Sequence, residues 1–307
     1  MGNIRISVLF PLYKPDLNAL GQVIKSVISQ KCDYIQFEYI LIDDSGPEYD
    51  SNSIIELLNS IGFTYSYHKN PDNLGLANCW NRCVEIARYD YIHFVHQDDY
   101  IYDGYYKEIV ELMSVYQCGL YATRSFFINE NDLIFGVSPF LGTGWFSSLS
   151  TRDFFYRTPF QCSATVFSKS AFIAVGGFDN RLIYLLDRLL CFRIVKHSSG
   201  AISNKPLTNY RFSSVSETSR LEKTGLIFND FNILNGILEK EDKGFDKKKY
   251  LDSFYNWSIE VLNRFRTQGF LIDYNVVKSS INDSFPTSFL IRKRINSFMK
   301  GIIDKLC

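Results

Sequence analysis

The sequence has no excess of charge of either sign: 33 lysines and arginines face 33 aspartates and glutamates. Net charge therefore dictates no concentrated basic surface of the kind that holds nucleic acid by displacing counterions, and no nucleic-acid partner is expected. No window approaches the roughly 18–20 uninterrupted apolar residues that a membrane-spanning helix requires. The opening residues, MGNIRISVLFPLYK, lack the basic start, long apolar stretch and small-residue cleavage site of a secretory leader. Gly2 is not followed by the Ser or Thr of a myristoylation signal. The cysteines at 32, 79, 83, 118, 162, 191 and 307 are odd in number and include no Cys-x-x-Cys pair. That spacing argues against a disulfide framework or a zinc ribbon, and for reduced, buried thiols in a cytoplasmic protein. No Gly-x-Gly-x-x-Gly follows the first apolar run, which argues against an NAD-dependent enzyme. The Pro11-Leu-Tyr-Lys-Pro15 segment that stands there does not supply the glycine-rich basic loop of a nucleotidyltransferase.

What is present is the balance of an ordinary globular protein, 46% hydrophobic and 21% charged, in a chain of 307 residues that is long enough for a large core. Its first hundred residues alternate short β-branched or aromatic runs with helical patterns, the signature of βαβ units and a mostly parallel, Rossmann-like sheet flanked by helices. Strands are expected at Ile4–Phe10, Phe37–Ile42, Phe63–Tyr67 and Tyr91–Val95. Between them lie a helix behind Asp16, a good N-cap, a second through Ile54 to Leu58, and a third from Leu76 to about Arg88. Beyond residue 118 short apolar runs at Gly119–Thr123, Leu133–Val137 and Ser163–Phe167 read as further strands, and Asp187–His197 as a helix. From about Leu221 long polar helices take over, with the charged stretch Glu239–Lys249 between them. The expected division is therefore 1–220 and a C-terminal helical region, 221–307. The last segment, Phe289–Leu306, carries an apolar stripe opposite Arg292, Lys293, Arg294, Lys300 and Lys305. Such a helix can lie on anionic lipid, pack against the rest of the fold, or pair two copies as a homodimer.

Two acidic pairs, Asp43-Asp44 and Asp98-Asp99, each follow an expected strand. That is where open α/β sheets bind ligands. Two carboxylates about 4 Å apart repel by roughly 4 kcal/mol at an effective dielectric of 20, unless a cation relieves them. Consecutive extended residues point opposite ways, so both acids reach one ion only if the chain turns there. Mg²⁺ or Mn²⁺ suits such a pair, since these hard cations combine one or two carboxylates with water and phosphate oxygens. A carboxylate at the level of Asp43-Asp44 can accept from a pyrimidine imide or from ribose hydroxyls. A solvated turn is the plain alternative for both pairs.

The ordered segments Ile6-Ser-Val-Leu-Phe-Pro-Leu-Tyr13, Tyr39-Ile-Leu-Ile-Asp-Asp-Ser45, Asn73-Leu-Gly75 to Trp80-Asn81, and Tyr91-Ile-His-Phe-Val-His-Gln-Asp-Asp99 resemble the inverting glycosyltransferases of family 2. The resemblance spans roughly residues 4–215 and implies the type A glycosyltransferase (GT-A) fold. It implies that Pro11 and Tyr13 border the nucleotide, that Asp43 and Asp44 contact the base, and that Asn73 and Gln97 belong to the same binding surface. Asp98 and Asp99 then occupy the metal motif, with Asp99 as principal ligand. Gly176-Gly-Phe-Asp179 and Asp187 resemble the segment that supplies the catalytic base, with Leu186 in place of a first acid. Asp187 as a simple helix cap is the other reading. Tyr210-Arg211-Phe212 resembles the segment that closes on the diphosphate, so Arg211 is expected to pair with phosphate.

This chain departs from the family in carrying His96 and Gln97 where an acid often stands, and Trp80, read as buried, where many relatives have Arg. The Gln-x-x-Arg-Trp signature of processive synthases is absent. The resemblance therefore implies transfer of a single hexosyl or deoxyhexosyl unit from a nucleoside-diphosphate sugar to a saccharide or lipid-linked saccharide. The setting implied is bacterial surface polysaccharide such as O-antigen or capsule, in the cytoplasm or at the inner face of the plasma membrane. A non-catalytic nucleotide-sugar-binding protein on the same fold is the alternative.

Overall fold

The computed structural model describes residues 4–30, 32, 34–142, 144–214, 216–267 and 271–293. It divides into two compact units, Met1–Ser213 and Ser214–Cys307.

The first unit opens with β1 (Ile4–Leu12), whose stretch from Ile6 to Phe10 is buried at every position. Unbroken burial marks a strand covered on both faces, which is why no alternation shows in its sequence. α1 (Leu17–Ile28) follows: Asp16 Oδ1 accepts the Ala19 N–H at 2.8 Å, and Leu20, Val23, Ile24 and Val27 form the buried stripe. β2 (Ile35–Asp43), α2 (Asn52–Ile61), β3 (Ser66–Lys69), α3 (Leu76–Ile86) and β4 (Tyr91–Phe94) complete the βαβ half. The second half runs α4 (Tyr105–Val115), β5 (Leu120–Ile128), β6 (Ile134–Val137), β7 (Phe146–Leu149), β8 (Thr165–Ser168), α5 (Lys169–Ala174), α6 (Leu186–Ser198) and β9 (Gly200–Arg211).

Among the described residues the nine strands join one sheet in the order β3-β2-β1-β4-β8-β5-β9-β7, with β6 against β5. The expected α/β architecture, a central sheet flanked by helices, is the one observed. Its parallel character belongs to β1 through β4 and to the pair of β5 with β9; β8 joins β4 and β5 antiparallel, as do β6 and β7 their partners. The third strand starts at Ser66 rather than Phe63. Gly62 closes α2 in the left-handed region at φ 73°, and β3 pairs only with the last residues of β2, from Ile40↔Ser66 to Asp43↔Lys69.

The 12-residue β9 gives little sequence signal because its buried residues are largely polar. Ser203, Asn204, Thr208 and Asn209 are all within 1% of full burial. They are held by internal bonds: Asn204 Oδ1 accepts the Leu141 N–H at 3.0 Å, and Asn209 Oδ1 accepts the Tyr100 N–H at 2.5 Å. Pro206 stands where the register of β5 with β9 shifts, a position that tolerates a missing donor.

The second unit is helical: α7 (Glu217–Thr224), α8 (Ile227–Glu241), α9 (Lys247–Thr267) and α10 (Leu271–Ser284). Its core is aromatic, with Phe231 stacked on Phe254 at 4.1 Å and Phe254 on Phe285 at 4.6 Å. Glu222 receives Arg264 Nη2 on both carboxylate oxygens at 2.9 Å. Residues 294–306, most of the expected C-terminal amphipathic helix, lie outside the described residues. Among the described residues no helix is long and apolar enough to cross a membrane. The six described cysteines are free thiols.

Candidate active site

Parallel pairing of β1 with β2 and β4 brings three strand ends to one edge of the sheet. The pairing continues past the strands, with Asp44 N–H donating to Leu12 O at 2.8 Å and Val95 N–H to Leu9 O at 2.9 Å. Pro11, Tyr13, Asp43, Asp44 and the loop from His96 to Asp99 are thus neighbours. Gln97 fastens two of these segments with its side-chain amide: Oε1 accepts the Tyr13 N–H at 2.9 Å and Nε2 donates to Tyr13 O at 3.1 Å. The Tyr13 ring is left half exposed.

Asp43 and Asp44 are engaged inside the protein. Asp43 accepts the Ser45 N–H at 2.9 Å, the Ser51 hydroxyl at 2.5 Å and the Tyr67 hydroxyl at 2.7 Å. Burial alone would raise its pKa, but the bonds from Ser45, Ser51 and Tyr67 outweigh burial and hold it below the ordinary value. Asp44 accepts Asn70 Nδ2 at 2.7 Å, the Leu74 N–H at 2.9 Å and the Gly75 N–H at 3.1 Å, so it fixes the loop that leads into α3. Asn73 Nδ2 donates to the Asp44 carbonyl at 2.7 Å. The pair and Asn73 therefore build the wall beside Tyr13.

The second pair divides its labour. Asp99, 2% exposed, accepts the Arg211 N–H at 3.0 Å on Oδ1 and the Ser163 hydroxyl at 2.8 Å on Oδ2. His96 Nδ1 lies 3.2 Å from the same Oδ2. Asp99, expected as principal metal ligand, is thus largely occupied by protein donors. Asp98 receives no side-chain hydrogen bond among the described residues, and its pKa is pushed up to about 6 by burial and by the Asp99 charge, with His96 and Arg211 partly offsetting them. A carboxylate pair whose charge is incompletely matched, with one member's oxygens still available, suits a hard divalent cation. Among the described residues no group of three or more His, Cys, Asp or Glu side chains converges as a metal site. Asp98, with Asp99 beside it, would supply the protein oxygens for such an ion.

Arg211, expected to pair with phosphate, has its guanidinium tied into the protein. Nε donates to Asp98 O at 3.2 Å, Nη1 to Asn129 O at 3.3 Å and Nη2 to Asp132 Oδ1 at 2.7 Å, pinning the β5–β6 hairpin to the Asp98 loop. Asp187 lies in the first turn of α6, where Oδ1 accepts the Arg188 N–H at 2.7 Å. Burial raises its pKa, while the Arg188 N–H bond and the His96 and Arg188 charges oppose burial.

Four further residues support the site, and sequence reasoning gave none of them that role. Ser163 and His96 hold Asp99 as described. Asn81 brackets Phe178, donating from Nδ2 to its carbonyl and accepting its N–H on Oδ1, both at 2.9 Å. Trp80, buried as expected at 7% exposure, packs its ring 5.0 Å from both His96 and Phe178. The signal for His96 was its place in the motif before Asp98, where the family often carries an acid.

Comparison with known proteins gives the family and the fold. Residues 7–176 match the family described as Glycosyl transferase family 2. In overall fold the chain is similar to residues 1–349 of TarS from S. aureus in complex with UDP-GlcNAc, with a TM-score of 0.59 at 15% identity over 92% of this chain and 82% of that one. The complex of the same protein with UDP gives 0.52 at 13% identity over 92% and 93%. An uncharacterized protein of Mycobacterium tuberculosis is 23% identical over 233 residues, 71% of this chain and 70% of its own.

Proposed function

Because the chain belongs to glycosyl transferase family 2, we propose that it moves one hexosyl or deoxyhexosyl unit from a nucleoside-diphosphate sugar to a saccharide or lipid-linked saccharide, with inversion. The observation that carries this reading is the pairing of two kinds of carboxylate in one site. Asp98 is short of partners at the edge where β1, β2 and β4 end, and Asp187 has a pKa raised by burial, with the His96 ring in the field of both. Asp187 takes the proton of the acceptor hydroxyl as that oxygen attacks the anomeric carbon from the face opposite the nucleotide. A raised pKa makes its ionised form the stronger proton acceptor. Mg²⁺ or Mn²⁺ held by Asp98 with Asp99 beside it would offset the charge of the departing diphosphate.

Pro11 and the exposed Tyr13 ring border the nucleotide. Asp43, Asp44, Asn73 and Gln97 serve it by fixing the wall and the loop around that ring. Arg211 fixes the Asp98 loop. The reading places the reaction in bacterial surface-polysaccharide assembly, at the inner face of the plasma membrane.

The test is a panel of uridine, guanosine and thymidine diphosphate sugars added to the full chain with Mn²⁺ or with chelator. One donor should raise the melting temperature only with metal present. Asp187→Asn should still bind that donor but lose transfer by at least about 100-fold. Stabilisation by no nucleotide sugar, or full transfer by the variant, overturns the reading.

A further inference from the structure

His96 is anchored on one side and unmet on the other. Its Nδ1 sits 3.2 Å from Asp99 Oδ2, and its ring packs against Trp80 at 5.0 Å. Trp80 is itself wedged between Phe94 at 5.4 Å and Phe178 at 5.0 Å. The ring therefore cannot swing to find another partner. Nε2 is buried and has no hydrogen-bond partner among the described residues. A buried polar atom without a partner is uncommon and calls for a group that completes it.

The position of the ring says which part of a ligand that is. The charges of Asp99, Asp98 and Asp187 all act on His96, so it lies within electrostatic reach of the carboxylates assigned to the departing diphosphate and of the one assigned to the acceptor. In an inverting displacement the sugar being transferred occupies the space between those two groups. With Nδ1–H directed at a carboxylate, Nε2 accepts a hydrogen bond when the ring is neutral and donates one when it is charged. A sugar hydroxyl satisfies either form, whereas an ionised phosphate oxygen can only accept.

We propose that His96 Nε2 hydrogen-bonds a hydroxyl of the transferred sugar, which makes His96 a determinant of donor-sugar specificity. This inference rests on the glycosyltransferase reading above.

The experiment separates the two. Binding of the donor selected by the panel, and of its nucleoside diphosphate alone, is measured by calorimetry on the full chain and on His96→Asn, with Mn²⁺ present. Asparagine keeps an amide nitrogen near the place of Nδ1 and removes Nε2. Any loss that the variant suffers through Asp99 is shared by the nucleoside diphosphate and the nucleotide sugar, and the complete nucleotide sugar should lose about a further tenfold. A set of singly deoxygenated donors gives a second readout that needs no variant. One of them should bind the unaltered protein about tenfold more weakly than the parent, and that difference should vanish in His96→Asn.

Equal losses for diphosphate and donor, unchanged donor affinity in the variant, or no sensitive hydroxyl in the deoxygenated set each overturn the inference while the transferase reading stands. Failure of the unaltered chain to bind any nucleotide sugar overturns both.

Discussion

Replacing Asp98 by Asn should stabilise the metal-free protein. The carboxyl pKa rises from an ordinary aspartate's 3.8 to about 6, chiefly through burial and the neighbouring Asp99 charge. Folding therefore favours the protonated form. The sign follows: between those two values the native state binds more protons than the unfolded chain, so stability is full below pH 3.8 and declines as pH rises through about 6. At about 1.4 kcal/mol per pH unit the whole difference approaches 3 kcal/mol, an upper bound because the site is partly open and Asp98 is coupled to Asp99. Asparagine carries no charge to desolvate and should recover about 1–3 kcal/mol at pH 7.5. In a unit of this size that is a rise of about 3–8 °C in melting temperature.

Thermal melts of the two proteins in chelator, from pH 4 to 8, provide the assay. The curves should converge near pH 4, separate between pH 4 and 6, and stay apart above pH 6. Addition of Mn²⁺ with a nucleoside diphosphate should raise the melting temperature of the unaltered chain alone. An Asp98→Asn protein that is no more stable than the parent at pH 7.5 without metal, or one still stabilised by Mn²⁺, would refute the reasoning.

Asp43→Ala should cost about 2–3 kcal/mol in denaturant unfolding, because the buried Ser51 hydroxyl and the part-buried Tyr67 hydroxyl that now donate to it at 2.5 and 2.7 Å lose their acceptor. Arg211→Gln should increase amide exchange over residues 129–132, where the guanidinium now meets Asn129 O and Asp132. Nucleoside diphosphate affinity should fall less than threefold, since every guanidinium nitrogen already donates within the protein. Gly177→Ala should destabilise by about 1–3 kcal/mol, measured by urea melts, because φ is +69° and the new Cβ would lie 2.6 Å from Asn81 Oδ1.

The fold was largely legible wherever the hydrophobic period was simple. The buried run from Ile6 to Phe10, the capped stripe of α1 and the helix after Leu186 each announce themselves in local sequence. β9 did not, because its buried positions are serine, asparagine and threonine whose partners, Leu141, Tyr100 and Ser125, lie about 60 to 110 residues away. β3 was misplaced by three residues because the pairing of β2, not the apolar content of Phe63–Tyr67, sets where the strand begins.

For the site, the sequence by itself determined which residues gather at the sheet edge, because parallel strands must end together and their motifs sit at those ends. It could not determine which carboxylates are available for chemistry. That depends on donors supplied from elsewhere in the chain: Ser51 and Tyr67 for Asp43, Asn70 and Gly75 for Asp44, Ser163 and Arg211 for Asp99. Only the tertiary structure leaves Asp98 without a side-chain donor among the described residues and His96 Nε2 without a partner. The physical reason is that a motif fixes the identity of a polar group, whereas its charge state and free valence are set by the neighbours that folding brings within hydrogen-bond reach.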